Sequence, residues 1–91
     1  MALSHARIAV NNTTAVAVTD LTDTYNQISI QIQNLGTGVA YVGGAGVTST
    51  SYGASIVAGG AIGFDNLSAK DELYVIHADA STYVAVVRVS R

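Results

Sequence analysis

Two histidines are the most chemically versatile side chains of this sequence, and one of them has an acidic neighbour. His77 precedes Asp79 in the run HAD, and both would share a face if a strand continued through them. A catalytic pair of this kind needs a nucleophile beside the imidazole, and no Gly-x-Ser-x-Gly elbow is present. A half-buried histidine at a strand end, beside a turn aspartate, is the more frequent arrangement. We therefore predict no catalytic residue and no enzymatic activity.

Two aspartates three positions apart, Asp20 and Asp23, are the best candidates for binding a cation. A calcium loop supplies more oxygen ligands at alternating positions and a closing glutamate, which this segment lacks. A cap on a first helical turn is the preferred interpretation. Cysteine is absent, so neither a thiolate metal site nor a disulfide can form. We predict no metal and no other cofactor.

Glycine clusters follow two apolar segments, with GTG at residues 36–38 and GGAG at residues 43–46. A phosphate-binding loop would lead into a helix and end in Lys-Ser or Lys-Thr, and neither pattern follows. The glycines are therefore predicted to form turns. The five tyrosines could stack on sugars or bases, but tyrosines spread over several strands are more often half-buried, with hydrated hydroxyls.

The elements that would position these residues are indicated most clearly by residues 25–44. Ile28, Ile30 and Ile32 alternate with polar residues, which places the isoleucines on one face of a strand and the amides on the other. A turn-forming run, NLGTG, and a second apolar segment follow, and together they predict a β-hairpin. Comparable segments recur about every 8 to 12 residues, without helical periodicity. We predict an all-β fold, a small antiparallel β-sandwich or barrel, jelly-roll-like, with about eight short strands.

The length allows one domain, and the composition favours an assembled one. We interpret residues 1–5 as a flexible N-terminal arm and residues 6–91 as a single β-sandwich domain. Only 11% of the residues are charged, against about 25% in an average protein. Proline is absent, so predicted edge strands lack one common protection against pairing. A small domain without disulfides often gains stability by oligomerising.

Charge and hydropathy patterns argue against several partners. The net charge of −2 and the scattered basic residues provide no electrostatic footprint for nucleic acid. The segment MALSHARIAV lacks the long apolar region of a signal peptide, and no run has the length of a membrane helix. We expect no nucleic-acid partner, no membrane partner and a cytoplasmic place of assembly.

Two runs of the sequence resemble small structural proteins encoded by tailed bacteriophages. These are IQNLGTGVAYVGGAGVTSTSYGASIVAGGAIGF and, further on, DELYVIHADASTYVAVVRV. The matching positions are residues 32–34, 39–44, 58–64, 73–76 and 83–89. Residues 1–24 match no part of the pattern. The resemblance implies a β-sandwich or barrel that oligomerises on the virion, commonly as a homotrimer.

The function implied by this resemblance is that of a capsid decoration, or cement, protein. Such a protein is not an enzyme. It would bind the major capsid protein at the capsid surface, after assembly in the host cytoplasm, and stabilise the head lattice. The alternatives are another virion component, such as a head-fibre base or a head–tail or tail accessory protein, and, less favoured, a carbohydrate-binding β module.

Three segments of the sequence are predicted to form the interface of such a subunit with its partners. The arm is expected to contribute, a face of small residues would let another chain approach closely, and residues 45–54 are expected to lie as an ordered loop on the sandwich surface. The predicted interface residues are Leu3, His5, Arg7, Ala15, Ala17, Val47 and Tyr52.

Overall fold

A computed structural model describes residues 2–18, 27–68 and 72–90 and arranges them as two antiparallel four-stranded sheets. This confirms the predicted all-β sandwich, and no helix occurs in the described ranges. The strands are β1 (Ala2–Val10), β2 (Val16–Ala17), β3 (Gln27–Asn34), β4 (Ala40–Gly43), β5 (Ala54–Ile56), β6 (Ala61–Ser68), β7 (Tyr74–His77) and β8 (Thr82–Ser90).

The order of strands in the two sheets is that of a jelly roll. Sheet A has the order β1-β8-β3-β6, and sheet B has the order β2-β7-β4-β5. Of the strands that follow one another along the chain, only β4 and β5 pair with each other. All the remaining connections cross from one sheet to the other. This topology closes the sandwich at both ends by crossing segments, with two Greek keys sharing one core.

The alternation of β3 places its isoleucines in that core, as predicted. Ile28, Ile30 and Ile32 are buried, whereas Gln31 and Gln33 are exposed. Valines of both sheets and one more isoleucine surround them. The core cluster consists of Val10, Val18, Ile30, Ile32, Ala40, Val42, Ile56, Val75, Val84 and Val86. Burial of these β-branched side chains is the main driving force for folding, since each contributes roughly 1.5 to 3 kcal/mol.

Two expectations about local structure are wrong. The predicted hairpin of residues 25–44 does not form, because β3 belongs to sheet A and β4 to sheet B. The NLGTG segment is therefore a corner between sheets and not a hairpin turn. Residues 2–5, interpreted as a flexible arm, are part of β1 and pair in register with β8, with Leu3 opposite Val89.

Arg88 is the one charged residue of β8, and it points towards the space between the sheets. Its Nε donates a hydrogen bond of 2.9 Å to the Val18 carbonyl oxygen, which follows β2. A charge-assisted bond of this kind links an inner strand of sheet A to the end of an edge strand of sheet B. The predicted helical turn near residues 20–24 lies outside the described residues.

Candidate functional site

His77 and Asp79, for which the sequence favours a structural role over catalysis, lie at the corner that connects β3 to β4. His77 ends β7 with its side chain fully buried. Its Nε2 lies 2.8 Å from the Asn34 side-chain oxygen, and its Nδ1 lies 2.9 Å from the Asp79 main-chain nitrogen. Asn34 ends β3, so the imidazole joins the last residues of two strands from opposite sheets.

Asn34 is buried, and every hydrogen-bonding position of its amide is used. Its Nδ2 donates to the carbonyl oxygens of Gly38, at 2.8 Å, and Ile56, at 2.9 Å. Its Oδ1 accepts from the Gly36 N–H at 2.9 Å and faces His77. Because Nδ2 has two carbonyl partners, the orientation of the amide is fixed, and Oδ1 must be the atom that faces the imidazole.

These contacts also determine the histidine tautomer. An Asn oxygen can only accept, so His77 Nε2 carries the proton. A main-chain N–H can only donate, so Nδ1 accepts the Asp79 N–H as a neutral nitrogen. The Asp79 carboxylate lies 3.7 Å from Nδ1, beyond hydrogen-bonding distance. Both ring nitrogens are thus occupied by bonds that hold the corner together.

The Asp79 carboxylate is held by the GTG loop. Its Oδ2 accepts hydrogen bonds from the Thr37 N–H at 3.0 Å, the Gly38 N–H at 3.2 Å and the Thr37 hydroxyl at 3.3 Å. The Gly38 bond does most to hold the pKa of Asp79 below its ordinary value. Partial desolvation opposes this, and the Thr37 N–H adds to the lowering. The main-chain donors that a phosphate would use are therefore occupied by a carboxylate of the same chain.

Close approach explains the two glycines of this loop. A Cβ on Gly36 would lie 2.7 Å from His77 Cε1 and 2.8 Å from Asp79 Oδ2. A Cβ on Gly38 would lie 2.6 Å from Asp79 Oδ1. All three distances are shorter than non-bonded atoms tolerate, so a residue with a side chain would push the loop away from the imidazole and the carboxylate. The corner is a structural polar network that fixes the crossing between sheets.

The outer face of sheet A is formed by four strands and carries a broad set of outward side chains, most of them exposed. Its outward residues are Leu3, His5, Arg7 and Ala9 on β1; Tyr83, Ala85, Val87 and Val89 on β8; Ser29, Gln31 and Gln33 on β3; and Ala61, Gly63 and Asp65 on β6. Arg7 and Asp65, the two of opposite charge, lie on the two edge strands. The inner strands β8 and β3 present apolar groups, amides and the two hydroxyls of Ser29 and Tyr83.

An apolar stripe runs along this face. Leu3 is 74% exposed, Tyr83 52% and Val87 42%. Leu3 is the cross-strand neighbour of Val89, so the β8 stripe continues onto β1. A shallow groove lies beside it, where Gly63 and Ala61 lack large side chains. Exposed apolar side chains gathered on one face are typical of a surface that contacts another macromolecule.

Three of the predicted interface residues, Leu3, His5 and Arg7, lie on this face, all exposed and all on β1. Tyr83 and Val87 were not among the predicted interface residues, although a signal was available. The last strand is apolar on both faces, and an antiparallel sheet that faces water on one side normally alternates with polar residues. A second apolar face therefore indicates a second covering surface.

The loop of residues 44–53 lies against sheet B, as expected, but it does not present Val47. Val47 is only 6% exposed and packs against Gly43. The contact is close, since a Cβ added to Gly43 would lie 3.2 Å from Val47 Cγ2. Val47 therefore anchors the loop within its own chain and is not available to a partner. Tyr52 is 49% exposed, and its ring centroid lies 4.8 Å from that of Tyr41, at an angle of 47°.

Ala17 lies in β2, the short edge strand of sheet B, and Ala15 lies just before it. Both are half-buried, and Ala17 pairs with Tyr74 of β7. β2 contains only two residues, so it offers little backbone to a partner. The structure thus does not unite Ala15 and Ala17 with the exposed residues of β1, which belong to the other sheet.

Side chains of the types that bind metals are scattered over the described part of the chain. Within residues 2–18, 27–68 and 72–90, no three His, Cys, Asp or Glu side chains gather closely enough to hold an ion. Asp20 and Asp23 lie outside these ranges. In the same part of the chain no helix has the length and hydropathy needed to span a bilayer.

Comparison with known proteins adds no identification. Neither the known protein families, nor the curated proteins, nor the solved structures contain a match to this chain.

Proposed function

We propose that the chain is a non-enzymatic structural subunit of a tailed-bacteriophage virion, a decoration protein that binds the head lattice through the outer face of sheet A. The single observation that supports this most is the stripe of exposed Leu3, Tyr83 and Val87 on that face. On a small isolated domain, contact with water raises the free energy of such side chains, and covering them with another surface lowers it.

The character of the face favours a protein partner. Its inner strands bear amides from Gln31 and Gln33 next to apolar groups, and no charged residue of either strand points outward. Protein interfaces combine an apolar centre depleted of charge with polar groups that form hydrogen bonds. A nucleic acid would require a basic surface instead, and Arg7 alone does not create one.

The jelly-roll topology supports the same proposal at the level of fold. Jelly rolls recur in viral structural proteins, although they also occur in lectins and other families, so the topology alone does not assign a function. Together with the sequence resemblance to phage structural proteins, it favours a virion subunit. A rigid sandwich with an extended flat face would add modest contacts at each lattice position, and many copies would sum them over the shell.

The corner at His77 fits a structural role. The imidazole has both nitrogens in hydrogen bonds, and Asp79 is bound by the GTG loop. A general base must reach the proton of a nucleophile, whereas this ring is buried and already saturated. We accordingly place no reaction at this corner.

A carbohydrate-binding module is the second candidate, and one specific observation favours it. The half-exposed Tyr52 ring stacks at an angle on Tyr41 beside a small cleft. Glycines and Ser51 line that cleft, which leaves room above the backbone. Aromatic rings beside hydrogen-bonding groups are a usual way to bind sugars, so a glycan array with the purified chain would distinguish this candidate.

The experiment that tests the leading proposal mixes the purified chain with expanded, undecorated heads of the phage that encodes it. We expect the chain to sediment with the heads and to raise their melting temperature. Val87→Glu should weaken this binding strongly, because it places a charge in the middle of the stripe. Val57→Glu is the matched control, since Val57 is exposed in the turn after β5 and outside this face.

Three outcomes would count against the proposal. The first is a native chain that leaves both the sedimentation and the melting of the heads unchanged. The second is equal weakening of binding by Val87→Glu and Val57→Glu, which would locate the contact elsewhere. The third is labelling by antibodies on the tail, which would favour the tail accessory alternative over head decoration.

A further inference from the structure

The two edge strands of sheet A are long, in contrast to those of sheet B, and no other strand of residues 2–18, 27–68 and 72–90 pairs with their outer edges. β1 has nine residues and β6 has eight, whereas β2 has two and β5 three. Very short edge strands are a common protection against pairing with another chain. Neither long edge contains a proline or a lysine, the residues that usually protect an exposed edge.

The free backbone groups of β1 follow from its pairing. The Leu35 N–H donates to the Tyr83 carbonyl oxygen, so Tyr83 and every second residue after it point their backbone groups at β3. The residues between them, including Val84, point at β1 and bond to Ile8 and its even-numbered neighbours. The odd-numbered residues Arg7 and Ala9 therefore direct their N–H and C=O groups to the open edge.

The same reasoning applies to β6. The Asn34 N–H donates to the Gly60 carbonyl oxygen, so Gly60, Ile62 and Phe64 face β3. Gly63 therefore directs its backbone groups to the open edge, and Asp65 follows as the first residue after the regular part of the strand. Beyond Phe64 the register with β3 shifts at a β-bulge, which limits regular pairing to the first part of the strand.

Strand direction makes the two edges complementary. Neighbouring strands in sheet A are all antiparallel, so β6 runs opposite to β1. A second copy placed beside the first, in the same orientation, would bring its β1 antiparallel to β6. The outer faces of the two sheets would then be continuous.

Side chains select one register of this contact. With Arg7 opposite Asp65 of the neighbouring copy, Ala9 lies opposite Gly63 and Ile8 opposite Phe64. The Ala9–Gly63 pair would exchange main-chain hydrogen bonds, because no described strand bonds to the edge-facing groups of either residue, and Arg7 would meet Asp65 at the start of the bulge. Arg7 and Asp65 are both exposed on the outer face, and opposite charges at directly paired positions stabilise a sheet. Ile8 and Phe64 both point inward and pack at the border of the core.

We infer that copies of this chain join side by side, with the β1 edge of one pairing antiparallel to the β6 edge of the next, and Arg7 opposite Asp65. Because the contact uses different surfaces on the two copies, it repeats from copy to copy. The twist of the sheet determines whether the copies close into a ring or extend as a filament. The inference names a self-association surface, does not depend on the partner proposed for the outer face, and requires no phage particle to test. A trimer would be one closed ring of this contact.

A twofold contact between two β1 edges is the main competitor, and its charges are unfavourable. Pairing centred on Ala6 would place Arg7 opposite His5 of the other copy, without an acidic partner. The side-by-side contact is therefore distinguished by its dependence on Asp65, which the twofold contact does not use.

The test is a charge exchange across the contact, followed by sedimentation equilibrium. Arg7→Glu and Asp65→Lys should each weaken self-association about tenfold, because each places like charges opposite one another. The double variant Arg7→Glu/Asp65→Lys restores opposite charges and should return to within about threefold of the native chain. Gln33→Glu, on an inner strand of the same face, is the control and should associate like the native chain.

The results that would overturn the inference are specific. The native chain could remain a monomer at the highest soluble concentration. Association that is unchanged or stronger in Arg7→Glu, together with unchanged association in Asp65→Lys, would indicate the twofold contact, because that contact places Arg7 opposite His5 and does not use Asp65. Failure of the double variant to recover, with circular dichroism and melting like those of the native chain, would exclude this register.

Hydrogen exchange provides a measurement that needs no variant. In the monomer the amides of Ala9 and Gly63 face the open edge, so they should exchange rapidly, whereas those of Ile8 and Phe64 should be protected at any concentration. At concentrations where the chain is oligomeric, the Ala9 and Gly63 amides should exchange at least tenfold more slowly. Rapid exchange of both amides in an oligomer would refute the edge contact.

Discussion

Replacing Asn34 by alanine should destabilise this protein more than any other single deletion of a polar side chain within the described residues. The substitution removes four hydrogen bonds from the corner between β3 and β4: two that Asn34 Nδ2 donates and two that Asn34 Oδ1 accepts. The four groups left without their bonds are the carbonyl oxygens of Gly38 and Ile56, the Gly36 N–H and the His77 Nε2–H.

The magnitude follows from which of these groups water can reach. The bonds to Ile56 and His77 are buried, so those two groups stay unsatisfied and cost about 1 to 3 kcal/mol each. The bonds to Gly36 and Gly38 are only part-buried, so water replaces them at a cost of about 0.5 kcal/mol each. The free energy of unfolding should therefore fall by about 4 kcal/mol, from a total of roughly 5 to 14 kcal/mol for 91 residues.

The assay is urea denaturation followed by circular dichroism, with calorimetry for the midpoint. A loss of about 4 kcal/mol corresponds to a fall in Tm of roughly 15 to 30 °C in a domain of this size. Asn11→Ala is the matched control. The Asn11 side-chain oxygen also accepts three hydrogen bonds, from Thr13 and Thr14, but they are exposed to solvent.

The control should lose about 1 kcal/mol or less, because water replaces exposed bonds at little cost. The reasoning would be refuted if Asn34→Ala and Asn11→Ala were destabilised equally. It would also be refuted if the Asn34 variant lost less than about 1 kcal/mol, since the corner would then contribute no more than an exposed turn.

Three further predictions concern the stability of the isolated chain. Gly36→Ala should cost about 1 to 3 kcal/mol in urea denaturation, because its Cβ would overlap the His77 imidazole, while Gly44→Ala, with open space around it, should stay within about 0.5 kcal/mol of the native chain. Lowering the pH below about 4 should progressively remove the stabilisation by the Asp79 carboxylate, because the pKa of Asp79 is lower in the folded than in the unfolded state. Asp79→Asn should flatten this part of the profile of stability against pH, and an unchanged profile would contradict the assigned role of the carboxylate. Ile32→Ala should cost about 2 to 5 kcal/mol, since its side chain is fully buried in the core, and similar melting temperatures for Ile32→Ala and Leu3→Ala would contradict the assignment of the two faces.

The fold class could be predicted from the sequence because period-two alternation is a local property. Ile28, Ile30 and Ile32 indicated by themselves which side of β3 is buried. The pairing of β3 could not be predicted in the same way. A Gly-containing connection of this length suits either a hairpin or a corner between sheets, and the choice is made by the distant strands β6 and β8.

The error at the N-terminus has a related cause. Residues 2–5, ALSH, do not alternate between polar and apolar side chains, so the sequence predicts an arm there. The structure pairs them with β8, which offers a partner to every residue of β1. Pairing with a strand about eighty residues away leaves no local signal in so short a segment.

The polar corner could be predicted only in part. The proximity of His77 and Asp79 is visible in the sequence, and their structural role was the preferred interpretation. The residue that completes the network, Asn34, lies 43 positions from His77 and was read as part of a turn. The sequence cannot show which asparagine lies beneath a histidine, because that contact depends on how two sheets stack.

The solution mass of the native chain over a wide range of concentrations tests the central claim most directly, since that claim is that this weakly charged sandwich is built to assemble. Light scattering after size exclusion, with calorimetry on the same samples, measures both mass and stability. We predict a multiple of the 9.3 kDa chain mass and a Tm that rises with concentration. A constant mass of one chain, with the same Tm from micromolar to millimolar concentrations, would contradict the account.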